Sequence, residues 1–302
     1  MMLKMQIANA PCSWGALEFD LEGDAPAYQR VIDEIKETGY AGTELGDWGF
    51  MPTDSKVLTK ELHARGLSLV GAFVPVGFKE TANHAAGAES ALKVARLLAA
   101  VEGSTPLIIL ADDNGKDLLR TRNAGRILPE MGLTDAQWQI FAEGVTKTAE
   151  RVRSDTGLRC VFHHHCAGYV ETPFEVDRLL ALTDPNLVGL CLDTGHYCFG
   201  GGNPVTCLKQ YTTRIWHFHF KDFSREVSQK VARSGQDYFA AVKAGIFCEL
   251  GKGAVDFKSA MAVLAESGYN GWGVVEQDVL PGMGSPKASA ERNRVFLRSL
   301  GL

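Results

Sequence analysis

Short apolar runs and longer amphipathic stretches alternate along this chain. Runs rich in Val, Ile, Leu and aromatic residues lie at about 5–10 (MQIANA), 41–45 (AGTEL), 68–74 (SLVGAFV) and 106–111 (PLIILA). Four more follow: RCVFHHH from Arg159, VGLCLDTGH from Val188, IWHFHF from Ile215 and WGVVEQD from Trp272. Their length and composition predict buried strands. Between them, apolar residues recur at helical spacing over Ala27 to Thr38, Ser55 to Arg65, Ala88 to Val101, Ala136 to Ser154, Pro173 to Leu182, Pro204 to Thr212, Phe257 to Ser267 and Lys287 to Ser299. Asp24 to Pro26 reads as a helix start, and Gly39, Gly66 and Gly268 read as left-handed caps that end helices.

Helix, glycine, short strand is therefore the repeating unit, and eight such alternations predict parallel strands closed into a single-domain (β/α)8 barrel. An open doubly wound sheet is the alternative. The segment after the first strand, NAPCSWG, has neither the GxGxxG spacing of a dinucleotide fold nor a P-loop lysine, which favours the barrel. Two stretches break the rhythm and predict rim structures: a long insertion at about 222–253, with a tight turn at Gly251 and Gly253, and a loop from Asp112 to Leu133.

Composition narrows the function. With 302 residues, 45% of them hydrophobic, the chain can bury a large core. The net charge of −5 comes from interspersed charges, so there is no basic field for nucleic acid or anionic lipid. No run approaches the roughly 18 apolar residues of a membrane span and no signal-peptide h-region precedes the first strand, so a cytoplasmic protein is expected. Seven cysteines without a CxxC pair predict no disulfide framework; Cys12, Cys166 and Cys198 fall near strand ends.

The candidate chemistry lies at the strand ends, where parallel barrels build their sites. His165, Asp193, His219 and Glu276 each end an apolar run. Two imidazoles and two carboxylates suit a divalent ion such as Mn2+, Co2+, Zn2+ or Mg2+ with positions open to a substrate oxygen. Period-two alternation sets His163 and His165 on one face and His164 on the other; His165 is the expected ligand and His163 a deeper contact to substrate. Asp193 is equally a candidate helix cap, although the glycines that follow it predict an open loop. A carboxylate at Glu276, buried among apolar neighbours, would need a cation. Glu44 ends the second strand, while Trp14 and Phe73 offer aromatic surface to a sugar or polyol ring.

FHHHCAG, LDTGH, HFHFKD and VVEQD, taken together over nearly the whole chain, resemble the xylose-isomerase-like TIM-barrel superfamily of sugar isomerases, epimerases and related enzymes. The resemblance implies Mn2+ or Co2+ as the metal. Ketose epimerases of this superfamily carry a glutamate where His165 stands here, and use paired glutamates as acid and base. The histidine-rich strand, the NAPCSWG segment and TELG are more similar to its dehydratase branch. That likeness implies a metal-dependent lyase removing water from a keto-polyol such as 2-keto-myo-inositol through an enediolate. Glu276 or Glu44 is then the expected base, His196 or Lys221 the acid or enolate stabiliser, and Arg225 a clamp on substrate hydroxyls. The alternatives are a metal-dependent isomerase or epimerase on a ketose and a non-catalytic sugar-binding barrel. A homo-oligomer is expected by analogy.

Overall fold

The computed structural model describes residues 3–15 and 27–302. These residues form ten strands: β1 (Gln6–Asn9), β2 (Gly42–Glu44), β3 (Ser68–Pro75), β4 (Leu107–Ala111), β5 (Cys160–His163), β6 (Val188–Asp193), β7 (Ile215–Phe220), β8 (Asp222–Phe223), β9 (Phe247–Cys248) and β10 (Trp272–Val275). Eight of them close a parallel barrel in the order β1-β10-β7-β6-β5-β4-β3-β2, and β8 pairs antiparallel with β9 as a separate ribbon.

Helices return the chain between barrel strands: α1 (Tyr28–Glu37), α2 (Ser55–Arg65), α3 (Thr81–Ala99), α4 (Leu118–Arg122), α5 (Asp135–Thr156), α6 (Pro173–Leu182), α7 (Thr194–Phe199) and α8 (Pro204–Gln210). After β7 come α9 (Arg225–Ser234), α10 (Tyr238–Lys243), α11 (Phe257–Ser267) and α12 (Pro286–Ser299). The expected start of the first helix at Asp24 to Pro26 lies outside the described residues. Gly39, Gly66 and Gly268 all adopt positive φ after α1, α2 and α11. No described helix is long and apolar enough to cross a membrane.

Strand alternation sorts the side chains. Phe162, Leu190, Leu192, Phe218 and Phe220 face the helices and join the main core. Ala8, Ala10, Val70 and Val274 form one small buried cluster and Ile109, Val161 and Cys191 another, the packed interior of the barrel. Two residues further along the same inward faces stand His163, Asp193 and Glu276, so polar groups take over where the strands reach the mouth.

Several boundaries depart from the sequence pattern. Helix α3 begins at Thr81 rather than Ala88. Gly87 interrupts the apolar spacing there, yet a Cβ at that position would overlap the Val76 side chain, so the glycine lets the helix press onto the end of β3. The strand through the three histidines stops at His163, where its pairing with β4 and β6 ends, instead of reaching His165. After Asp193 there is a helix, α7, and not an open loop, because the Asp193 carboxylate caps it. The residues after β7 form a compact unit, with Phe223, Val231, Tyr238, Ala241, Ile246 and Phe247 sharing a second core with Cys166 and Ala167 beside β5.

Candidate metal centre and active site

Strands β5, β6, β7 and β10 are consecutive neighbours in the barrel, so their C-terminal ends meet. One ligand atom from each of His163, Asp193, His219 and Glu276 lies within 4.8 Å of the others. The Nε2 of His163 is 3.8 Å from Asp193 Oδ2, and His219 Nδ1 lies 3.9 Å from the same oxygen and 3.3 Å from Glu276 Oε1. Ligands about 2.0–2.2 Å from a common ion are separated by distances of this kind.

The donor set fits a cation on a second ground. Both ring nitrogens of His163, Asp193 Oδ2 and His219 Nδ1 are buried without a hydrogen-bond partner among the described residues. Buried polar atoms are ordinarily satisfied, and leaving several bare at one point is costly. The other oxygen of Asp193 is engaged: Oδ1 accepts the backbone N–H of His196 at 2.8 Å, the α7 cap. Asp193 thus caps α7 with one oxygen and leaves the other available at the centre.

Glu44 sits behind the centre. Its Oε1 lies 2.8 Å from His217 Nε2 and 3.0 Å from His219 Nε2. A carboxylate can only accept here, so both imidazoles carry their proton on Nε2 and His219 directs Nδ1 at the centre. Burial would raise the Glu44 carboxyl, but the charge of His219 and the hydrogen bonds from His217 and His219 outweigh it and hold it at about 2. Burial likewise opposes charge on His219, while Cys191, Glu276 and Glu44 raise its pKa well above the ordinary value. The surroundings therefore favour one positive charge at Nδ1, and a divalent metal would displace that proton.

Lys221 is the second charge of the site. Its Nζ lies 3.3 Å from Glu276 Oε2 and 3.4 Å from Asp278 Oδ2. Burial works against the ammonium, yet Asp278, Glu276 and Asp193 push its pKa well up. In return, His219 and Lys221 hold Glu276 well below the usual carboxylate range against its burial. Gly195 of LDTGH makes room for this lysine: a Cβ there would lie 2.6 Å from Lys221 Cγ.

A cleft opens above these groups, lined by Cys12, Glu44, Asp47, Phe73, His163, His165, Lys221, Tyr238, Glu276 and Asp278, with Ala10, Pro11 and Gly46. The structure brings Asp193, His219 and Glu276 together as the sequence predicted, but with His163 in the position expected of His165. Because pairing stops at His163, His165 turns into a loop closed by its own N–H to Val170 O at 3.0 Å, and its ring packs on His196 with centroids 3.8 Å apart. Phe73 lines the cleft, edge-on to His163. Trp14 does not: it is buried and its Nε1 donates to Glu34 Oε2 at 2.7 Å, so the ring packs toward α1 rather than toward a substrate. Arg225 is exposed as the first residue of α9 and does not line the cleft. His196 is buried beneath Lys221, its Nε2 3.4 Å from Nζ and its Nδ1 accepting Cys166 N–H at 3.3 Å. Asp278 and Tyr238 went unassigned in the sequence. Asp278 shares the alternation that places Glu276 inward, a signal present in VVEQD, whereas Tyr238 lies in a charged stretch with no local mark of a site.

A closed parallel barrel with a two-histidine, two-carboxylate centre at its mouth defines a class, and this chain belongs to it: the model of the xylose isomerase-like TIM barrel family matches residues 32–300. Within that class the chain is 33% identical to the inosose dehydratase of Geobacillus kaustophilus, over 98% of this chain and 94% of that protein. It is 30% identical to the inosose dehydratase of Clostridium botulinum, over 98% and 97% respectively. Among solved structures it resembles the IOLI protein crystallised with a zinc atom, at a TM-score of 0.71 and 14% identity over 98% of each chain.

Proposed function

We propose that this protein is a metal-dependent dehydratase that removes water from a cyclic keto-polyol of the 2-keto-myo-inositol class. The observation that carries the reading is the joint placement, at one strand-end cleft, of four ligand atoms within 4.8 Å and a charged lysine 3.3 Å from one of the ligating carboxylates. The similarity to inosose dehydratases over the full chain supports the substrate class.

His163, Asp193, His219 and Glu276 would hold the metal. When bound, it supplies Lewis-acid polarisation of the substrate ketone, which acidifies the neighbouring C–H. Mn2+ or Co2+ is the proposed ion, with Zn2+ and Mg2+ as alternatives that the same donors accept. Glu276 lines the cleft, and through Oε2, the oxygen paired with Lys221, it takes the proton from the carbon beside the ketone. Lys221 Nζ donates a proton to the β-hydroxyl; that C–O bond breaks, a C=C bond forms and water leaves. Because Glu276 and Lys221 are 3.3 Å apart, the proton gained by the carboxylate restores the ammonium and the cycle closes. Glu44 is not assigned as base, since both His217 and His219 occupy its Oε1; it fixes the orientation of His219. Phe73 offers its ring to the apolar face of the substrate.

Dehydration creates an ultraviolet-absorbing dione or enone, whereas isomerisation or epimerisation does not. The Mn2+-loaded protein should generate that absorption from 2-keto-myo-inositol. Lys221→Met should lower the rate by at least about a hundredfold while retaining the metal, as expected for a lost general acid. A new ketose without the absorption would assign the protein to the isomerase reading.

A further inference from the structure

The two carboxylates that flank Lys221 stand just beyond the end of β10. Val275 has the last paired positions of that strand, opposite Asn9 of β1 and Phe220 of β7, and Glu276 adds one backbone hydrogen bond, its N–H donating to Phe220 O at 3.0 Å. Glu276 and Asp278 therefore line the cleft from a stretch that the sheet barely holds. Between them stands Gln277, whose side chain bonds instead to α12.

Gln277 Oε1 accepts from Ser289 Oγ and from Asn293 Nδ2, each at 2.7 Å. Ser289 and Asn293 are four residues apart and so share one face of α12, and all three residues are buried. A backbone donor fixes the direction of this network. Leu250, which follows β9, donates its N–H to Asn293 Oδ1 at 2.9 Å, so Asn293 presents its nitrogen to Gln277, and Gln277 must present its oxygen. The main chain is held as well. Gln277 N–H donates to Ser13 Oγ at 3.1 Å, in the NAPCSWG segment whose Ala10, Pro11 and Cys12 line the same cleft. One residue thus joins the end of β10 to the segment after β1, to α12 and, through Asn293, to the chain after β9.

We propose that Gln277 is a positioning residue: anchored by Ser289, Asn293 and Ser13, it sets Glu276 and Asp278 around the Lys221 ammonium, 3.3 and 3.4 Å from Nζ, and holds Glu276 in place as a metal ligand. The inference rests on the metal-dependent dehydratase reading for what the positioned groups do. Reacting groups misplaced by a fraction of their contact distance lose much of their rate, so a hold on the main chain between two of them is a hold on the chemistry. It gives α12, which supplies no lining residue to the cleft among the described residues, a part in catalysis exerted through Gln277.

The test measures Mn2+ affinity by competition titration and, at saturating Mn2+, kcat and KM for 2-keto-myo-inositol, in wild type, Gln277→Met, Ser289→Ala and the double variant. Methionine keeps the length of the side chain and removes the acceptor. Gln277→Met should weaken Mn2+ binding and lower kcat by roughly tenfold each, the lower end of what outer partners of a metal centre contribute, with a smaller change in KM. Ser289→Ala keeps the Asn293 contact and should show the same pattern at about threefold, so it carries the test if Gln277→Met does not fold. The double variant should lose no more than Gln277→Met alone, because both changes remove one shared contact. A lower melting temperature with wild-type Mn2+ affinity and kcat marks a purely structural network and overturns the inference, as do losses that add in the double variant. Mn2+ affinity that depends on Gln277 in a protein whose wild type does not dehydrate would overturn the dehydratase reading and leave the inference standing. Dehydration by wild type with no loss of affinity or kcat in the variants would do the reverse.

Discussion

At the residue scale, each polar group at the mouth divides its atoms between holding structure and offering chemistry. Asp193 spends Oδ1 on the first turn of α7 and leaves Oδ2 bare in the centre. His219 gives Nε2 to Glu44 and directs Nδ1 at Asp193 and Glu276. A carboxylate behind a metal-binding imidazole sets its tautomer, and removing such a partner typically costs ten- to a hundredfold in metal affinity. Glu44→Gln should therefore weaken Mn2+ binding by about that factor in a competition titration, and unchanged affinity would remove Glu44 from the orienting role. His163→Ala should abolish stoichiometric metal binding while His165→Ala retains it; the opposite pattern would restore His165 as ligand. Asp193, His219 and Glu276 were legible in the sequence because a polar residue ending an apolar run has little reason to be there other than chemistry. The choice between His163 and His165 was not, because alternation places both on one face and only the pairing with β4 and β6 decides which of them is the last strand residue.

At the element scale, the walls of the site are held by buried polar staples. Arg120 of α4 is fully buried, its Nη1 and Nη2 donating to the two carboxylate oxygens of Glu175 at 2.7 and 2.9 Å and its Nε to Gly168 O at 2.8 Å, which ties the 112–133 segment to the loop after β5. Beside it Glu171 accepts the N–H groups of Gly125 and Ala167 at 2.6 and 2.8 Å. Burial pushes the Glu171 carboxyl up to about 7, against those hydrogen bonds and the charge of Arg120. A carboxyl raised on folding holds its proton more tightly in the folded state, so its favourable contribution is full below the unfolded value of about 4.5 and is lost as pH rises through about 7. Thermal stability should accordingly fall from pH 5 to pH 8 more steeply in wild type than in Glu171→Gln, by a difference on the order of 3 kcal/mol; parallel profiles would mean that Glu171 does not titrate in that window. Alternation of strand-like and helical patterns made the eight barrel strands legible. The ribbon of β8 and β9 and the helices α9 and α10 were expected only as an insertion, because two-residue strands carry no periodicity and their positions depend on Asp222 gathering distant backbone N–H groups.

At the scale of the whole molecule, the barrel is a device for converging residues separated by 113 positions, from His163 to Glu276, on one point. Neighbouring strand ends bring four donors together, and the cost of leaving them bare means that a bound metal would add to stability. A ligand that binds only the folded state stabilises it in proportion to the logarithm of its excess over the dissociation constant. Chelation with EDTA should therefore lower the melting temperature of the Mn2+-loaded protein by several degrees, with recovery on adding metal back, and a melting temperature indifferent to both would argue against a metal centre. Family resemblance in the strand-end motifs pointed to the substrate class, which no feature of composition or spacing supplies, since the stereochemistry of a polyol is read by cleft residues whose positions emerge only from the fold. Mass spectrometry of 2-keto-myo-inositol incubated with the Mn2+-loaded protein and with an EDTA-treated control decides whether dehydration occurs and whether it needs metal. A product lighter by one water should form only with metal; a product of unchanged mass, or the same water loss in the chelated control, would contradict metal-dependent dehydration.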